Sequence, residues 1–245
     1  MKGYIRLELL RTLRDPFYLL LAVVAPIGFY LLFSGLFGSG PHAPGALPGD
    51  VQIMIPVAVY GGMWACLVAT GPHIASERSS GWFRHLALLP ISPWKIVVSR
   101  ALVAISLALP AMLLVYGTAV LARGVQLPAG EWVSTILLTW IGSWPFALLG
   151  IALGYVTNES TSLGVTYGLF TAVTSIGGLT VPPSVMPSTM LNIAKTMPTY
   201  HAADLGWRLA NGQAPELISA VVLVGWAVFF LLVAALFARR AVRVR

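Results

Sequence analysis

The stretch ERSSGWFRHLALLPISPWK, residues 77–95, separates two long uncharged segments, 51–74 and 101–122. Within nineteen positions it holds one acid, three bases, one histidine, two tryptophans and two prolines. Each uncharged segment has about the 20 apolar residues that cross a hydrocarbon core of about 30 Å as a helix. The pattern therefore predicts two membrane-spanning helices joined by a compact polar element.

The composition of the whole chain supports a membrane protein. The 245 residues are 58% hydrophobic and only 9% charged, with a mean hydropathy of +0.84. Soluble domains carry roughly 25% charged residues, so this chain could not cover a water-facing surface. The single cysteine, Cys66, excludes a disulfide framework. The N-terminus is too charged for a cleaved signal peptide.

Hydropathy predicts an all-α integral membrane protein with one transmembrane domain over residues 1–245. Its predicted spans are residues 17–37, 51–74, 98–122, 132–157, 161–181 and 216–238. Only residues 158–160 separate the fourth span from the fifth, which predicts a tight antiparallel pair. Pro110 and Pro145 predict kinks inside two spans.

The bases predict the orientation of the spans. With the N-terminus in the cytoplasm, 12 of the 15 bases lie on the cytoplasmic side, and only Arg123, Lys195 and Arg208 lie outside. The positive-inside rule favours this topology, with both termini in the cytoplasm. The basic residues behind the net charge of +7 thus lie next to membrane spans and form no single patch. Nucleic acid is therefore not expected as a partner.

Two predicted segments do not span the membrane. Residues 1–15 place Ile5, Leu9 and Leu13 on one helical stripe, which predicts an amphipathic helix lying on the cytoplasmic leaflet. The alternative is a water-exposed extension of the first span. Residues 182–214 form a long proline-broken outer loop, in which we expect short helices that dip towards the membrane.

The predicted spans lack the side chains of several common chemistries. They contain essentially no ionisable residue, which argues against a carboxylate relay. The histidines show no metal-ligand spacing, and no catalytic pair or GxxxxGK[ST] loop occurs, so we expect no cofactor or metal on this chain. Hydroxyl and aromatic side chains in the spans could line a substrate path or simply pack helices together. They are Trp64, Thr70, Thr139, Ser143, Trp144, Thr171, Thr174 and Ser175.

The charged insert, residues 75–95, is predicted to contain a short cytoplasmic helix. Trp82, His85, Leu86 and Leu89 recur at helical spacing, and Pro90 ends the pattern. Such an element could be a membrane-surface anchor, with its Arg and Trp side chains among the headgroups. It could equally be a lever by which a partner protein moves two spans.

The order ER-x-x-G-x-x-x-x-L-x-x-x-P, residues 77–90, resembles the signature segment of type-2 ABC exporter permeases. The segment MPTYHAADLGWRLANG before the last span carries the P-x-Y element of that family at Pro198 and Tyr200. Many members have a small polar residue at the position of Trp82. A tryptophan at this position is typical of the subgroup that resembles drug and antibiotic exporters. The resemblance covers nearly the whole chain, including the six spans and their order.

This resemblance implies a permease that exports an amphipathic drug, antibiotic or lipid-like molecule by alternating access. It implies two copies of a separate ATP-binding subunit, which would carry ATP and Mg, and a second permease, identical or paralogous. The chain itself would not be an enzyme, and it would lie in a prokaryotic cytoplasmic membrane. The residues implied to dock and couple to the ATP-binding subunit are Glu77, Arg78, Gly81, Trp82, Arg84, His85, Leu86, Leu89, Pro90, Arg6 and Arg11.

Two other classes of function fit the residues less well. A stand-alone secondary carrier or channel would need ion-coupling or pore-lining charges, which the spans do not show. An intramembrane enzyme would need a nucleophile and a base at membrane depth. The lack of a nucleotide motif fits a permease whose energy comes from another chain.

Overall fold

A computed structural model describes residues 12, 14–38, 47–81, 93–181, 183 and 186–243 of the chain. The regular elements in this part of the chain are helices, in agreement with the predicted all-α class. The first two are α1 (Pro16–Leu19) and α2 (Ala25–Phe37), joined by a π-helical turn, Leu20–Val24. The others are α3 (Gly49–Val68), α4 (Gly71–Ser79), α5 (Pro93–Arg123), α6 (Ala129–Gly142), α7 (Trp144–Val156), α8 (Glu159–Ile176), α9 (Ser188–Ala194), α10 (Pro198–Ala210) and α11 (Leu217–Arg243).

Helices lie at all six predicted span positions, and four are long and apolar enough to cross a membrane. These four candidate spans are Gly49–Ser79, Ile96–Arg123, Ala129–Val156 and Leu217–Phe237. The first predicted span contains a shorter apolar helix, Ala22–Phe37, and the fifth contains α8 with 18 residues. A multi-pass membrane protein is thus confirmed, while the crossing of the first and fifth helices stays a prediction.

Several element bounds differ from the sequence prediction. The second span continues through α4 to Ser79, so Glu77 and Arg78 lie on a helix and not in a connecting loop. Helices α9 and α10 lie within the predicted outer loop, residues 182–214. The predicted interfacial helix falls almost wholly outside the described residues, as does the helix predicted around residues 82–90.

Prolines set most of the irregularities in these helices. The fourth predicted span is two helices, because α6 ends at Gly142 and α7 begins at Trp144 with Pro145 in its first turn. The π-helical turn directly precedes Pro26, whose ring nitrogen cannot donate to the carbonyl of Ala22. Pro110, by contrast, lies inside the unbroken helix α5.

Helix α3 is the centre of the bundle, and nearly all of its residues are buried. Helix α7 packs closely on α3 and α4 because Gly150 and Gly154 face them. A Cβ atom on Gly154 would lie 2.6 Å from the Cβ of Ile74, and a Cβ on Gly150 would overlap the hydroxyl of Thr70. Small residues at helix contacts are typical of packing in lipid, where close backbone approach replaces the hydrophobic effect.

The carbonyl that Pro56 leaves without a helical partner is bonded by a side chain from another helix. Pro56 lies inside α3 and has no N–H to donate to the carbonyl of Gln52. The indole Nε1 of Trp207, on α10, donates to that carbonyl at 3.1 Å. The proline therefore creates the acceptor that holds α10 against α3.

We expect Trp207→Phe to lower the free energy of unfolding by about 1 kcal/mol, because it leaves this carbonyl without a donor. In a Pro56→Ala background the cost should shrink, since the amide of the new alanine can bond to Gln52 itself. Denaturant titration of the four proteins in detergent micelles gives this coupling. Trp226→Phe is the matched control, because Trp226 donates to the carbonyl of Thr196, which has no proline four residues on. Equal costs of Trp207→Phe in both backgrounds would contradict the assignment.

Candidate functional site

The candidate site is built around the last turn of α4, where the sequence reads SERS at residues 76–79. This turn packs against α7 and α8. The chain leaves it through Gly81, whose φ of 75° lies in the left-handed region that favours glycine. Successive helical residues point about 100° apart, so these four side chains reach different neighbours.

Glu77 forms a buried ion pair with Arg100. The carboxylate Oε2 of Glu77 accepts a hydrogen bond from Nη2 of Arg100, on α5. Glu77 is 7% exposed and Arg100 is 3% exposed. Removing two charges from water costs several kcal/mol per ion, and the ion pair offsets part of that cost. The pair therefore fixes the end of α4 against the start of α5.

Arg78 binds the C-terminal end of α7. Its Nη1 lies 2.9 Å from the carbonyl oxygen of Gly154, 2.6 Å from that of Tyr155 and 3.2 Å from that of Thr157. The last carbonyls of a helix have no partner within the helix, and they carry a partial negative charge that a cation stabilises. Arg78 thus acts as the C-terminal cap of α7.

Ser76 and Ser79 bind Glu159, the first residue of α8. Ser76 Oγ donates to Oε1 of Glu159 at 2.8 Å, and Ser79 Oγ donates to Oε2. Serines three positions apart lie on one face of a helix, so both reach the same carboxylate.

These hydrogen bonds lower the pKa of Glu159 below its ordinary value. Because the folded pKa is lowered, the contribution to stability is present above the ordinary carboxyl pKa and is lost as the pH falls.

Together these contacts join four helices, and we call the set the clasp. Its members are Ser76, Glu77, Arg78, Ser79, Arg100 and Glu159. The sequence prediction included Glu77 and Arg78 but missed the other four. Arg100 lies 23 positions from Glu77, and no local periodicity links residues so far apart. The docking role predicted for Glu77 and Arg78 stays a prediction, and their observed contacts are within the chain.

The remaining predicted docking residues, except Gly81, lie outside the described part of the chain. They are Trp82, Arg84, His85, Leu86, Leu89, Pro90, Arg6 and Arg11. The clasp nevertheless lies directly before this segment and, at Arg100, shortly after it. Residues 82–92 are therefore joined through the chain to α4 on one side and to α5 on the other.

The hydroxyls predicted as a substrate path bond mainly to their own helices. Thr70 donates to the carbonyl of Cys66 at 2.8 Å, and Ser143 donates to that of Thr139 at 3.0 Å. Thr139 and Thr174 make the same bond four residues back, at 2.6 and 2.8 Å. All four side chains are fully buried. These bonds lie within single helices, as serine and threonine often bond in helices, and the substrate path stays a prediction.

Thr171, Ser175 and the two tryptophans occupy other positions. Thr171 is exposed and donates to the carbonyl of Tyr167, while Ser175 accepts a hydrogen bond from Thr180 at 3.2 Å. Trp64 is buried against the ring of Phe170, with ring centroids 4.6 Å apart. Trp144 is 39% exposed and packs edge-on against Trp140. The eight candidates therefore do not share one surface.

Glu77→Gln should lower the free energy of unfolding by about 3 kcal/mol, because it removes the carboxylate that pairs with the buried charge of Arg100. The double variant Glu77→Gln/Arg100→Gln should recover at least about 1 kcal/mol of that loss, since it removes the buried charge of Arg100 as well. Denaturant titration of the full chain in detergent measures both. Glu216→Gln is the control: its ion pair with Arg208 is half exposed, so it should cost less than about 1 kcal/mol. A double variant no more stable than the single one would contradict the pairing.

Two comparisons with known proteins agree with each other. Residues 2–206 match the family model described as "ABC-2 type transporter". The chain is also 25% identical over 226 residues to the Bacillus subtilis (strain 168) protein named "Putative transport permease YvfS", and the match covers 92% of this chain and 91% of that protein. Both descriptions concern transport, which fits a helical fold with four candidate membrane spans among the described residues. The chain belongs to the ABC-2 type transporter family of membrane permeases.

Proposed function

We propose that this chain is the permease subunit of an ATP-driven exporter, which moves an amphipathic drug, antibiotic or lipid-like molecule out of the cell. Membership of the family supports the transport role and implies an ATP-binding partner in general. The clasp is the observation that carries the coupling, because it links the segment before residues 82–92 to three other helices. The chain itself is not the enzyme; ATP and Mg bind the partner.

The proposed assembly has two permease subunits, identical or paralogous, and two copies of the ATP-binding subunit. The N-terminal residues and the segment 75–95 dock to the ATP-binding subunits. The 12-to-3 distribution of bases supports placing that side, with both termini, in the cytoplasm of a prokaryotic cell. The apolar surface of α11, where Leu217, Val224 and Leu232 are more than half exposed, faces lipid or the second permease.

In this mechanism the clasp converts docking into movement of the spans. Closure of the ATP-binding subunits pulls on residues 82–92, and α4 passes the displacement to α5 through Glu77 and to α7 through Arg78. Charged hydrogen bonds in a site with little water are strong enough to move packed helices together. The docking must bind the inward-open and outward-open states with different free energies, since a contact equally strong in both states would shift nothing.

The alternative function is a stand-alone secondary carrier or channel. The buried pair Glu77–Arg100 is the observation that best supports a carrier or channel, because ionisable groups within membrane helices often serve proton relays. Each of these two charges, however, is neutralised by the other at the end of its span. A relay carboxylate lies along a transport path, whereas this one forms an ion pair that joins α4 to α5.

Reconstitution distinguishes the two functions. The chain is co-expressed with a P-loop ATP-binding subunit from the same genome, and both are purified and reconstituted in lipid vesicles. We expect co-purification, ATP hydrolysis that is stimulated by the permease, and export of an amphipathic fluorescent probe only with ATP. Transport of the probe by this chain alone, driven by an ion gradient, would overturn the proposal.

Arg78→Gln tests the clasp as the coupling element. We expect the ATP-binding subunit still to bind, while the amount of probe transported per ATP falls about 10-fold, the equivalent of about 1.4 kcal/mol of lost charge-assisted bonding. Arg123→Gln is the matched control. Arg123 also donates to a helix carbonyl, that of Leu31, but it lies at the end of α5 away from the clasp. Equal losses of coupling in the two variants would show that the clasp has no special part in transmission.

A further inference from the structure

A second polar network lies at the end of the bundle away from the clasp, where α10 meets α9 and α11. His201, on α10, contacts two partners: its Nδ1 lies 3.0 Å from Oγ of Ser219, and its Nε2 lies 2.8 Å from the carbonyl oxygen of Lys195. Ser219 Oγ also donates to Oδ2 of Asp204 at 3.1 Å. His201 is 5% exposed and Ser219 is fully buried. The network therefore ties α10 to the end of α9 and to the first turn of α11.

The hydrogen atoms of this network can be counted. A carbonyl only accepts, so Nε2 of His201 must carry a proton to bind Lys195. Ser219 has one hydroxyl proton, which it donates to the carboxylate of Asp204. Ser219 can then only accept from His201, and Nδ1 must carry a proton as well. All the contacts are satisfied together when His201 is an imidazolium, with protons on both ring nitrogens.

The charges around the ring agree with this count. Asp204 lies 3.4 Å from Nε of Arg208, and Arg208 also pairs with Glu216, so two acids share one arginine. An imidazolium at His201 brings the group to neutrality. Tyr200 packs edge-on against the ring of His201, with centroids 5.4 Å apart, and burial followed by the charges of Asp204 and Glu216 raises the pKa of its phenol.

Other charged groups lie on the elements packed against α10. They are the exposed side chain of Lys195 after α9, Glu131 in the first turn of α6, and Asp50 in the first turn of α3. Glu131 lies near the end of α10, with Oε1 3.5 Å from the position of a Cβ on Gly212. One base and two acids thus lie on the elements packed against α10.

The order of the three side chains excludes a hydrolytic triad here. A serine nucleophile requires the imidazole between the serine and the carboxylate, so that the ring can take the hydroxyl proton. In this network Ser219 lies between His201 and Asp204. Its proton points to the carboxylate, and the far nitrogen of the ring is bound to a main-chain carbonyl. The arrangement fastens helices and does not activate a nucleophile.

We propose that His201, Ser219 and Asp204 form a proton-dependent lock, which holds α10 to α9 and α11 while His201 is doubly protonated. When the pH rises and Nδ1 loses its proton, that nitrogen and the Ser219 oxygen can no longer bond unless Ser219 turns away from Asp204. One hydrogen bond between α10 and α11 is lost in either arrangement. The lock needs no nucleotide or partner, so it does not depend on the proposed export; only its placement on the outer side rests on the charge-based orientation.

Nitrogen NMR of the imidazole rings tests the lock directly. The full chain, labelled with ring-¹⁵N histidine, is studied in lipid nanodiscs from about pH 5 to about pH 9, the range in which histidine titrates. His201→Gln assigns the signals. We expect both ring nitrogens of His201 to show the protonated shift at the acid end, and the Nδ1 proton alone to be lost as the pH rises. A ring that carries one proton at every pH, on Nε2, would overturn the proposal.

Asp204→Asn gives a second, independent outcome. The asparagine amide can donate to Ser219, which frees the Ser219 proton to bind Nδ1, and a neutral ring then satisfies every contact. We therefore expect His201 in this variant to be singly protonated, on Nε2, over the whole range. If the variant does not fold, the measurement on the unaltered chain still decides. A doubly protonated ring that persists unchanged in Asp204→Asn would contradict the role of the carboxylate.

Hydrogen exchange tests whether the proton controls the helix contact. After correction for intrinsic rates, exchange of the amides in residues 194–201 and 217–222 should rise about 10-fold as His201 deprotonates, as expected for one charge-assisted bond. His201→Gln should remove this pH dependence. His73→Gln, a matched substitution on α4, should leave it intact. If the exchange of these amides still depends on pH in His201→Gln, another group causes the dependence and the proposal is contradicted.

Discussion

The buried ion pair between Glu77 and Arg100 is the interaction on which the proposed function depends. Each of these buried charges stabilises the other, so separating α4 from α5 at this end would carry a large cost. Once Glu77 is held, the spacing of the helix directs its neighbours. Arg78 points to the end of α7, and Ser76 and Ser79, three positions apart, share the face that reaches Glu159. One fixed side chain thus places three others against two further helices.

A second constraint comes from the backbone in a medium without water. Every helix end and every proline leaves a carbonyl without its helical partner, and such a group is costly in lipid. This chain repeatedly supplies a donor from another element. Trp207 donates to the carbonyl of Gln52, four residues before Pro56; Arg78 donates to carbonyls at the end of α7; and His201 bonds to the carbonyl of Lys195 at the end of α9. The same bonds that satisfy the backbone also join the helices. Irregularity in one helix therefore becomes the attachment point of another.

The sequence predicted what is local in this fold. Hydropathy and length located helices at all six positions, because a run of apolar residues needs no information from elsewhere in the chain. Pro145 indicated the break in the fourth span for the same reason. Partners far apart in the chain were missed: Arg100 for Glu77, Glu159 for the two serines, and Trp207 for Gln52. No periodicity marks such pairs, because the fold alone brings them together.

The same contrast between local features and distant partners holds for the candidate site residues. The motif marked Glu77 and Arg78 as docking positions, which stays a prediction, and it gave no sign of their contacts within the chain. The hydroxyl side chains could not be sorted, because a threonine that bonds to its own helix has the same sequence context as one that faces a path. For the segment 82–90, which lies outside the described residues, the motif remains the basis of the docking prediction.

The two polar networks at the ends of the bundle differ in how their charge can change. The arginines of the clasp keep their protons at any physiological pH, so that end stays joined unless a partner pulls it apart. The lock contains a histidine, whose charge can change between about pH 5 and about pH 8. Helix α7 ends in the clasp, and α11, which begins in the lock, packs along α7. In the proposed mechanism a displacement at the clasp would reach the lock through one helix contact, and the proposed proton at His201 would set how firmly the far end resists it.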